Sequence, residues 1–278
     1  MTELDLDNRL SQLEARLRGY GSVLVAFSGG ADSALVLAAA ARALGADRAV
    51  AATAVSGSLP AAERESARAF ANAQRVRHVE VPTHEIAREG YAANAADRCY
   101  FCKSELLDVL LPVADELGMA HVATGTNADD AVAGFRPGIR AAAERGAVTP
   151  LLDAGFSKAE VRLASRRWGL STWDKPAAAC LSSRVAYGIR ITPKRLARVE
   201  RAESALRSAL AREGLTSADI RVRDLGDRGR IEVDRAIVEA VSRSQPALDA
   251  VRRAGFAEVD VDPRGFRSGS MNELLTGP

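Results

Sequence analysis

A short segment rich in glycine and hydroxyl groups, SGGADS at 28–33, has the residue types and spacing that most directly suggest chemistry. Gly29 and Gly30 allow the backbone to come close to an anion, because no Cβ stands in the way, while Ser28 and Ser33 add hydroxyl donors. A helix that starts at such a loop offers unpaired N–H groups and a positive dipole. The segment therefore predicts a phosphate-binding loop.

The kind of phosphate loop follows from what the segment lacks. It has no Gly-Lys-Ser/Thr and is not a Walker A motif, it lacks the third glycine of the dinucleotide fingerprint, and Ala26 stands where a nucleophile elbow needs glycine. SGGxDS after an apolar run resembles the PP-loop of ATP pyrophosphatases, which split ATP into AMP and pyrophosphate. The resemblance implies that ATP and Mg²⁺ bind here and that the pyrophosphate is cradled by Ser28, Gly29, Gly30, Asp32 and Ser33.

A second polar segment, GTNADD at 125–130, follows the apolar run HVATG at 121–125. Taken alone, it is an ordinary Asn/Asp turn. Similar segments recur in PP-loop enzymes beside the nucleotide and its metal. In company with SGGADS, we therefore interpret Asp129 as a metal or ATP contact.

The chain has three cysteines, Cys99 and Cys102 in C-Y-F-C and Cys180 in PAAACLSSR. A zinc ribbon needs a second CxxC, and a thioredoxin site does not need Cys180, so both readings are weakened. Inert buried thiols are the plain alternative. Three thiolates can hold three irons of a 4Fe-4S cluster and leave the fourth iron open, and an open iron could carry a sulfide that attacks an adenylated substrate. We interpret the three cysteines as such a set, with Cys180 folding back beside the CxxC pair.

The elements that must position these residues alternate along the first two thirds of the chain. Strands are predicted at 23–27, 49–55, 77–82 and 121–125. Helices are predicted at 2–18, 34–44, 61–74, 106–118 and 157–169. Strands alternating with helices are typical of a parallel sheet with right-handed crossovers. Residues 1–190 are therefore interpreted as a doubly wound α/β domain, and the resemblance of SGGADS to the PP-loop implies the PP-loop, adenine nucleotide alpha hydrolase-like type.

The order of elements changes after residue 190. A helix at 193–213 is followed by strands at 220–226 and 229–234, a helix at 235–253 and a strand at 256–262. This order is α+β, and it predicts a smaller C-terminal domain at 191–278, interpreted as a substrate or oligomerisation domain.

Taken together, the motifs resemble those of one family, the LarE family of ATP-dependent sulfur transferases that act in nickel-pincer nucleotide cofactor synthesis. The resemblance extends over almost the whole chain. It is carried by VAFSGGADS, the stretch from GTNADD to FRPG (125–138), ACLSSRVAYG (179–188), IRVRDLG, RIEVD and GFRSGSMN (265–272). SGGxDS alone identifies only the superfamily, whereas CLSSR with FRPG and GFRSGSMN makes the resemblance specific.

The resemblance implies a two-step reaction. ATP adenylates a carboxylate of pyridinium-3,5-biscarboxylic acid mononucleotide and releases pyrophosphate, and a sulfur nucleophile then displaces AMP to leave a thiocarboxylate. In sacrificial members of the family, which lack the CxxC pair, the cysteine at the position of Cys180 gives up its own sulfur. Because this chain has Cys99 and Cys102, the resemblance favours the branch with a 4Fe-4S cluster and an external sulfide donor.

The resemblance also implies roles for residues outside the loops. Ser182, Ser183 and Arg184 match positions near a phosphate, and Arg221 and Arg223, which share one face of a strand, match arginines proposed to hold the substrate. A solvated strand face is the alternative for that pair. Glu203 and Glu232 match carboxylates suspected of acid/base or metal roles, although lone carboxylates are more often surface charge. Lys103 could approach ATP phosphates or simply be exposed.

Composition limits the class of protein. The 278 residues are 47% hydrophobic and carry a net charge of +2, which argues against disorder and against bulk nucleic-acid binding. No stretch approaches the roughly 20 apolar residues that cross a bilayer. Three cysteines and a charged start without an apolar signal segment favour a reducing cytoplasm. The resemblance adds the expectation of a homo-oligomer.

Three rival functions share some of these features. A tRNA thiolase can join SGGxDS to CxxC and a 4Fe-4S cluster, but the low net charge and the four lysines among 38 basic residues argue against an RNA surface. An amidating enzyme like NAD synthetase keeps the PP-loop and leaves the cysteines without a task. An ATP-binding regulatory protein would bind nucleotide without releasing pyrophosphate.

Overall fold

The computed structural model describes residues 3–132, 136–176, 179–267 and 269–271. The seven strands of these residues are β1 (Val23–Ala26), β2 (Ala49–Val55), β3 (Arg77–Pro82), β4 (His121–Ala123), β5 (Ile220–Asp224), β6 (Arg228–Val233) and β7 (Glu258–Val261). The first six helices are α1 (Glu3–Tyr20), α2 (Ala31–Leu44), α3 (Ala61–Ala73), α4 (Glu89–Ala92), α5 (Arg98–Glu116) and α6 (Ala128–Val132). The other six are α7 (Pro137–Glu144), α8 (Pro150–Asp153), α9 (Lys158–Arg167), α10 (Pro193–Arg212), α11 (Val238–Arg243) and α12 (Gln245–Arg253).

The chain divides into two compact units. The first comprises Met1–Glu85 and Cys99–Ala178, and the second comprises Ile86–Arg98 and Ala179–Pro278. The predicted division into domains 1–190 and 191–278 stays a prediction. Within the described ranges, no helix is both long enough and apolar enough to cross a membrane.

The first unit is built on a parallel sheet with the strand order β3-β2-β1-β4. Val23 of β1 lies opposite Ala49 of β2 on one side and His121 of β4 on the other. The strands are short apolar runs because helices cover both faces, and α2 alone buries ten of its residues. Since β2 and β3 lie on one side of β1 and β4 lies on the other, the carboxyl ends of β1 and β4 border the crevice where open α/β sheets bind ligands.

The second unit contains a three-stranded sheet in which β5 and β6 are antiparallel and β6 and β7 are parallel. The short segment 86–98 belongs to this unit although it is distant in sequence. Its Asn94, which has a φ of +58°, donates through Nδ2 to the carbonyl oxygens of Ala186 and Ile189, at 2.8 and 2.9 Å. These bonds fix the segment against the chain that follows Cys180.

The predicted α/β class, with a parallel sheet and a smaller α+β part, is confirmed. The structure differs from the predictions at element boundaries. α2 begins at Ala31, so Asp32 and Ser33 lie in its first turn rather than in the loop, and α5 begins at Arg98, so the CxxC pair is helical. The helix predicted at 235–253 is broken where Ser244 caps α12, whose second residue is Pro246.

Some segments of the predicted elements and motifs lie outside the described residues. These are residue 2 of the first predicted helix, residues 133–135 of the stretch from GTNADD to FRPG, and residues 268 and 272 of GFRSGSMN.

Candidate active site

The PP-loop is a tight turn between β1 and α2. Gly29 has a φ of +72°, a region that favours glycine, and Gly30 is the N-cap of α2, where it supplies no capping side chain. The hydroxyl oxygens of Ser28 and Ser33 lie 3.2 Å apart, and the Ser33 hydroxyl donates to the carbonyl oxygen of Gly30 at 3.2 Å. The structure thus brings both predicted hydroxyls to one helix N-terminus.

Gly125 packs the end of β4 directly against this helix N-terminus. A Cβ at Gly125 would lie 2.8 Å from the backbone nitrogen of Ser33 and 3.1 Å from Cβ of Asp32. Real Cβ atoms do not approach a backbone nitrogen so closely. The two motifs predicted from the sequence are therefore neighbours in space, and glycine at position 125 permits this.

Asp32 and Asp129 meet at one lysine. Oδ1 of Asp32 accepts a hydrogen bond of 3.1 Å from Nδ2 of Asn127, and its Oδ2 forms an ion pair with Nζ of Lys158. The backbone nitrogen of Lys158 donates to Oδ2 of Asp129 at 2.8 Å. Asp129 thus lies beside the first turn of α9, and Lys158 contacts both carboxylates.

The side chain of a second lysine contacts the PP-loop itself. Nζ of Lys175 donates to the carbonyl oxygen of Gly29 at 3.0 Å and to Oε2 of Glu63 at 2.7 Å. Sequence reasoning missed Lys158 and Lys175. The available signal was their rarity, because two of only four lysines in the chain reach this one loop. A helix N-terminus, two hydroxyls and two ammonium groups suit a polyphosphate, and two carboxylates beside them suit Mg²⁺.

Cys99 and Cys102 lie three residues apart near the start of α5 and so face one side of the helix. Both are free thiols, with Cys99 exposed and Cys102 partly buried. Lys103 is partly buried rather than exposed. Burial lowers its pKa, against the opposing effect of negative charge at Cys102, Cys99 and Asp130. Lys103, which follows Cys102 directly, therefore lies within electrostatic reach of Asp130, the residue after Asp129.

Cys180, in the second unit, is a free thiol at the N-cap of a 3₁₀ turn, Leu181–Arg184. Its carbonyl oxygen accepts hydrogen bonds from the backbone nitrogen and the hydroxyl of Ser183, at 3.0 and 2.7 Å, and from Nη1 of Arg184 at 2.9 Å. Nε of Arg184 pairs with Oε1 of Glu203 at 2.9 Å, in a contact where the arginine side chain is only 4% exposed. Arg184 and Ser183 thus hold the backbone of Cys180 in place.

The neighbouring residues of this turn are equally constrained. Ser182 is fully buried, and its hydroxyl lies 2.6 Å from that of Tyr91. Nη1 of Arg98 donates to the carbonyl oxygen of Ser182 at 3.0 Å. Arg98 also directly precedes Cys99 in the chain. The structure therefore ties the turn after Cys180 to the residue before the CxxC pair.

The two arginines predicted on one face of β5 do not form a solvated face. Arg223 is buried, with Nη2 at 2.6 Å from Oε2 of Glu232. Arg221 is partly buried and stacks on Phe266, with Cζ 5.1 Å from the ring centroid. Burial, and then the positive charge of Arg184, lower the pKa of Arg221. Glu232, the partner of Arg223, is also buried, so it is not a surface charge.

The three cysteines are divided between the two units, Cys99 and Cys102 in the first and Cys180 in the second. Among the residues that the structure describes, no group of three or more His, Cys, Asp or Glu side chains is placed to hold a metal ion. Three free thiols nonetheless have the donor chemistry that an iron-sulfur cluster requires.

Comparison with known proteins gives evidence about the protein's family, which the geometry alone does not give. No protein-family model matches the chain. An uncharacterised protein of Synechocystis is 43% identical over 275 residues, which cover 98% of this chain and 99% of that protein. The pyridinium-3,5-bisthiocarboxylic acid mononucleotide synthase of Lactiplantibacillus plantarum is 34% identical over 98% of this chain and 96% of its own length. This chain belongs to the LarE family. As a member of the LarE family, it is an enzyme, a sulfur transferase.

The family match covers both units, so the LarE assignment does not depend on the PP-loop alone. A more distant relative, an uncharacterised protein of Methanocaldococcus jannaschii, is 25% identical over 175 residues, which cover 63% of this chain and 66% of that protein. The LarE resemblance expected from the motifs is thus confirmed.

Proposed function

We propose that this LarE-family chain uses ATP to activate a carboxylate of pyridinium-3,5-biscarboxylic acid mononucleotide and then converts it to a thiocarboxylate. The relative from Lactiplantibacillus plantarum is named for the bisthiocarboxylic acid product of such a reaction. One observation carries the proposal. The PP-loop and the segment with Asp129 meet at Lys158, beside the carboxyl ends of β1 and β4.

The first step is adenylation. A carboxylate oxygen of the substrate attacks the α-phosphorus of ATP, the bond from that phosphorus to the bridging oxygen breaks, and pyrophosphate leaves with the electron pair. The N–H groups at the start of α2 and the ammonium groups of Lys158 and Lys175 stabilise the charge on the leaving group. Asp32 and Asp129 would hold Mg²⁺, which would offset the negative charge of the phosphates.

The second step replaces oxygen by sulfur. A hydrosulfide ion attacks the carbonyl carbon of the acyl adenylate, the carbon–oxygen bond to AMP breaks, and the thiol proton passes to solvent, leaving a thiocarboxylate. Activation is needed because a free carboxylate is a poor electrophile, whereas AMP is a good leaving group. A 4Fe-4S cluster held by Cys99, Cys102 and Cys180 would supply the sulfur as sulfide on its open iron.

Three kinds of support favour the cysteine set over unrelated thiols. All three cysteines are free, the first two share one side of α5, and the carbonyl of Cys180 is held by Ser183 and Arg184. Self-sacrifice of Cys180 is the alternative sulfur source. For either sulfur source, the contacts of Ser183 and Arg184 hold the backbone of Cys180. The Cys180 side chain makes no capping hydrogen bond to the turn.

The remaining assignments belong to the same proposal. We propose that the substrate lies against the second unit near Ser182, Ser183, Arg184, Arg221 and Arg223, and that Glu203 and Glu232 act through the arginines they pair with. We further propose a homo-oligomer that works in a reducing cytoplasm with an external sulfide donor.

Measuring pyrophosphate release tests the proposed function. We expect release from ATP with the biscarboxylate mononucleotide, and none with nicotinic acid adenine dinucleotide or bulk tRNA in its place. The variant Asp32→Asn should abolish release, while Asp47→Asn, at an exposed turn after α2, should leave it unchanged. Release only with tRNA would identify a tRNA thiolase, and release only with the dinucleotide would identify an amidating enzyme.

A further inference from the structure

Arg9 of α1 holds the turn that leads from α8 into α9. Its Nη1 donates to the carbonyl oxygens of Ala154 and Gly155, at 2.9 and 2.6 Å, and its Nε lies 3.3 Å from Oε1 of Glu160. The two carbonyls are 145 and 146 positions away along the chain. Arg9 has no role in the function proposed above, so these contacts need another explanation.

The helix α1 gives Arg9 a fixed base. One face of the helix buries four leucines, Leu6, Leu10, Leu13 and Leu17, of which the last two are fully buried. The side chain of Arg9 is 38% exposed. Packing of the leucines therefore fixes the backbone of Arg9, and the contacts to the turn fix its guanidinium.

Gly155 permits the close approach of Arg9. Its φ is +67°, a region that favours glycine, and a Cβ at this position would overlap Nη1 of Arg9. Any other residue at 155 would push the guanidinium off the two carbonyl oxygens. The contact between α1 and the turn therefore depends on glycine here.

Glu160 connects Arg9 to the cap of α9. Ser157 is the N-cap of this helix, and Oε2 of Glu160 accepts hydrogen bonds of 2.7 Å from both the backbone nitrogen and the hydroxyl of Ser157. The hydroxyl of Ser157 in turn accepts from the backbone nitrogen of Glu160 at 3.3 Å. Such a capping box fixes the first turn of a helix. Because Arg9 contacts Oε1, both oxygens of this carboxylate are held.

The same turn is bonded to the segment that contains Asp129. The carbonyl oxygen of Phe156 accepts a hydrogen bond of 2.8 Å from the backbone nitrogen of Ala128, and the backbone nitrogen of Lys158 donates to Asp129 at 2.8 Å. Nζ of Lys158 pairs with Asp32. Since Lys158 is the first residue of α9, a shift of the capped turn moves its backbone and its ammonium together.

We propose that Arg9 is a positioning residue, which fixes the capped start of α9 and thereby sets where Lys158 meets Asp32 and Asp129. Arg9 acts through the turn and through Lys158, not on a substrate. A guanidinium suits this role, because one planar group reaches two carbonyls and a carboxylate. The use of the site for ATP rests on the function proposed above, whereas the placement of Lys158 does not.

Lysine footprinting of the full chain tests this placement without any substrate. Brief treatment with N-hydroxysuccinimidyl acetate, followed by peptide mass spectrometry, gives the acetylation rate of each lysine. In Arg9→Met we expect Lys158 to react about threefold faster, because its ion pair with Asp32 weakens, while Lys175 keeps its wild-type rate. Arg9→Lys should show a smaller increase, because charge is kept and the fork is lost.

Two variants are matched controls. Arg18→Met removes an arginine of the same helix that is 56% exposed and pairs with Glu14, also in α1. Arg167→Met breaks a pair of 2.9 Å with Asp7, which joins α1 to the other end of α9. Neither should change the acetylation rate of Lys158. If Arg167→Met raises that rate as much as Arg9→Met, general packing of α1 holds the lysine and the inference is overturned.

The other outcomes are equally decisive. An unchanged rate at Lys158 in Arg9→Met overturns the inference, and so does an equal rise at Lys175, because the whole unit would then have loosened. Thermal melting shows whether Arg9→Met is folded, and Arg9→Lys keeps the test valid if it is not. Faster acetylation of Lys158 alone, in a protein whose wild type releases no pyrophosphate, supports the role of Arg9 and contradicts the proposed function.

Discussion

Nζ of Lys175 donates a hydrogen bond of 3.0 Å to the carbonyl oxygen of Gly29, at the centre of the PP-loop. The same ammonium pairs with Glu63 at 2.7 Å. A residue only five positions before Cys180 thereby contacts the loop for which we propose pyrophosphate binding. The PP-loop is therefore completed by a lysine from a distant part of the chain.

Lys175→Met should raise the KM for ATP at least tenfold, because it removes a positive charge beside the phosphates and leaves Glu63 without this partner. Lys175→Arg should lose less. The measurement is pyrophosphate release against ATP concentration. Lys194→Met, at an exposed position in the first turn of α10, serves as control, and equal KM values for the two methionine variants would contradict the role of Lys175.

Gly125→Ala should disturb the contact between β4 and the start of α2, because the new Cβ would lie 2.8 Å from the Ser33 nitrogen. Overpacking of this kind costs about 1–3 kcal/mol of unfolding free energy. We expect a lower Tm and weaker ATP binding, measured by calorimetry and titration. Gly19→Ala is the control, since a Cβ at Gly19 in α1 meets nothing within 4 Å, and its Tm should not fall.

Cys180→Ala should abolish the visible iron-sulfur absorption of protein reconstituted anaerobically, and Cys99→Ala and Cys102→Ala should do the same. Iron, acid-labile sulfide and turnover with external sulfide are the measurements. Intact mass after turnover distinguishes the two sulfur sources, because loss of hydrogen sulfide from a cysteine removes about 34 Da. Colourless protein with one zinc would rule out the cluster.

Arg184→Met should lower the unfolding free energy of the second unit far more than the removal of an exposed ion pair would. The pair between Arg184 and Glu203 is buried, and breaking such a pair costs about 3–5 kcal/mol, because a charge stays buried alone. Arg190→Met, which removes a partner of Glu89 where both side chains are more than half exposed, should cost about 1 kcal/mol or less. Denaturant unfolding measures both values. Alkylation of Cys180 should also become faster in Arg184→Met, because its carbonyl loses a donor.

Glu80 predicts a specific dependence of stability on pH. A hydrogen bond from Arg64, aided by Arg68, lowers the pKa of Glu80 to about 2. Because the folded pKa lies below the ordinary value, the stabilisation is present above about pH 4.5 and is lost as the pH falls toward 2. The Tm difference between wild type and Glu80→Gln should therefore be largest near neutrality and shrink over that interval. Glu258→Gln, at an exposed position of β7, should show no such trend.

Patterns within short stretches of sequence predicted the elements that depend on residues close together in the chain. The apolar runs located β1 to β4, the leucine spacing located α1, and SGGADS located the turn between β1 and α2. Boundaries shifted where a helix started inside a motif, as with Asp32 and Cys99.

Contacts across long sequence separations could not be predicted from spacing. Lys158 is 126 residues from Asp32, and Lys175 is 146 residues from Gly29. The resemblance implied an acid/base or metal role for Glu203, with surface charge as the alternative, and neither pointed to a buried ion pair. Its partner, Arg184, lies 19 residues earlier, beyond the reach of any helix or strand period.

The route of the chain between the units has a consequence for biosynthesis. Residues 86–98 leave the ribosome long before Ala179, yet Nδ2 of Asn94 and the hydroxyl of Tyr91 have hydrogen-bond partners among residues 182–189. At about 5–20 residues per second, the roughly 80 intervening residues take on the order of 4–16 s to synthesise. During that interval these two hydrogen bonds to residues 182–189 cannot form, so the second unit completes its fold only near the end of translation, and fragments that lack either piece should not assemble it.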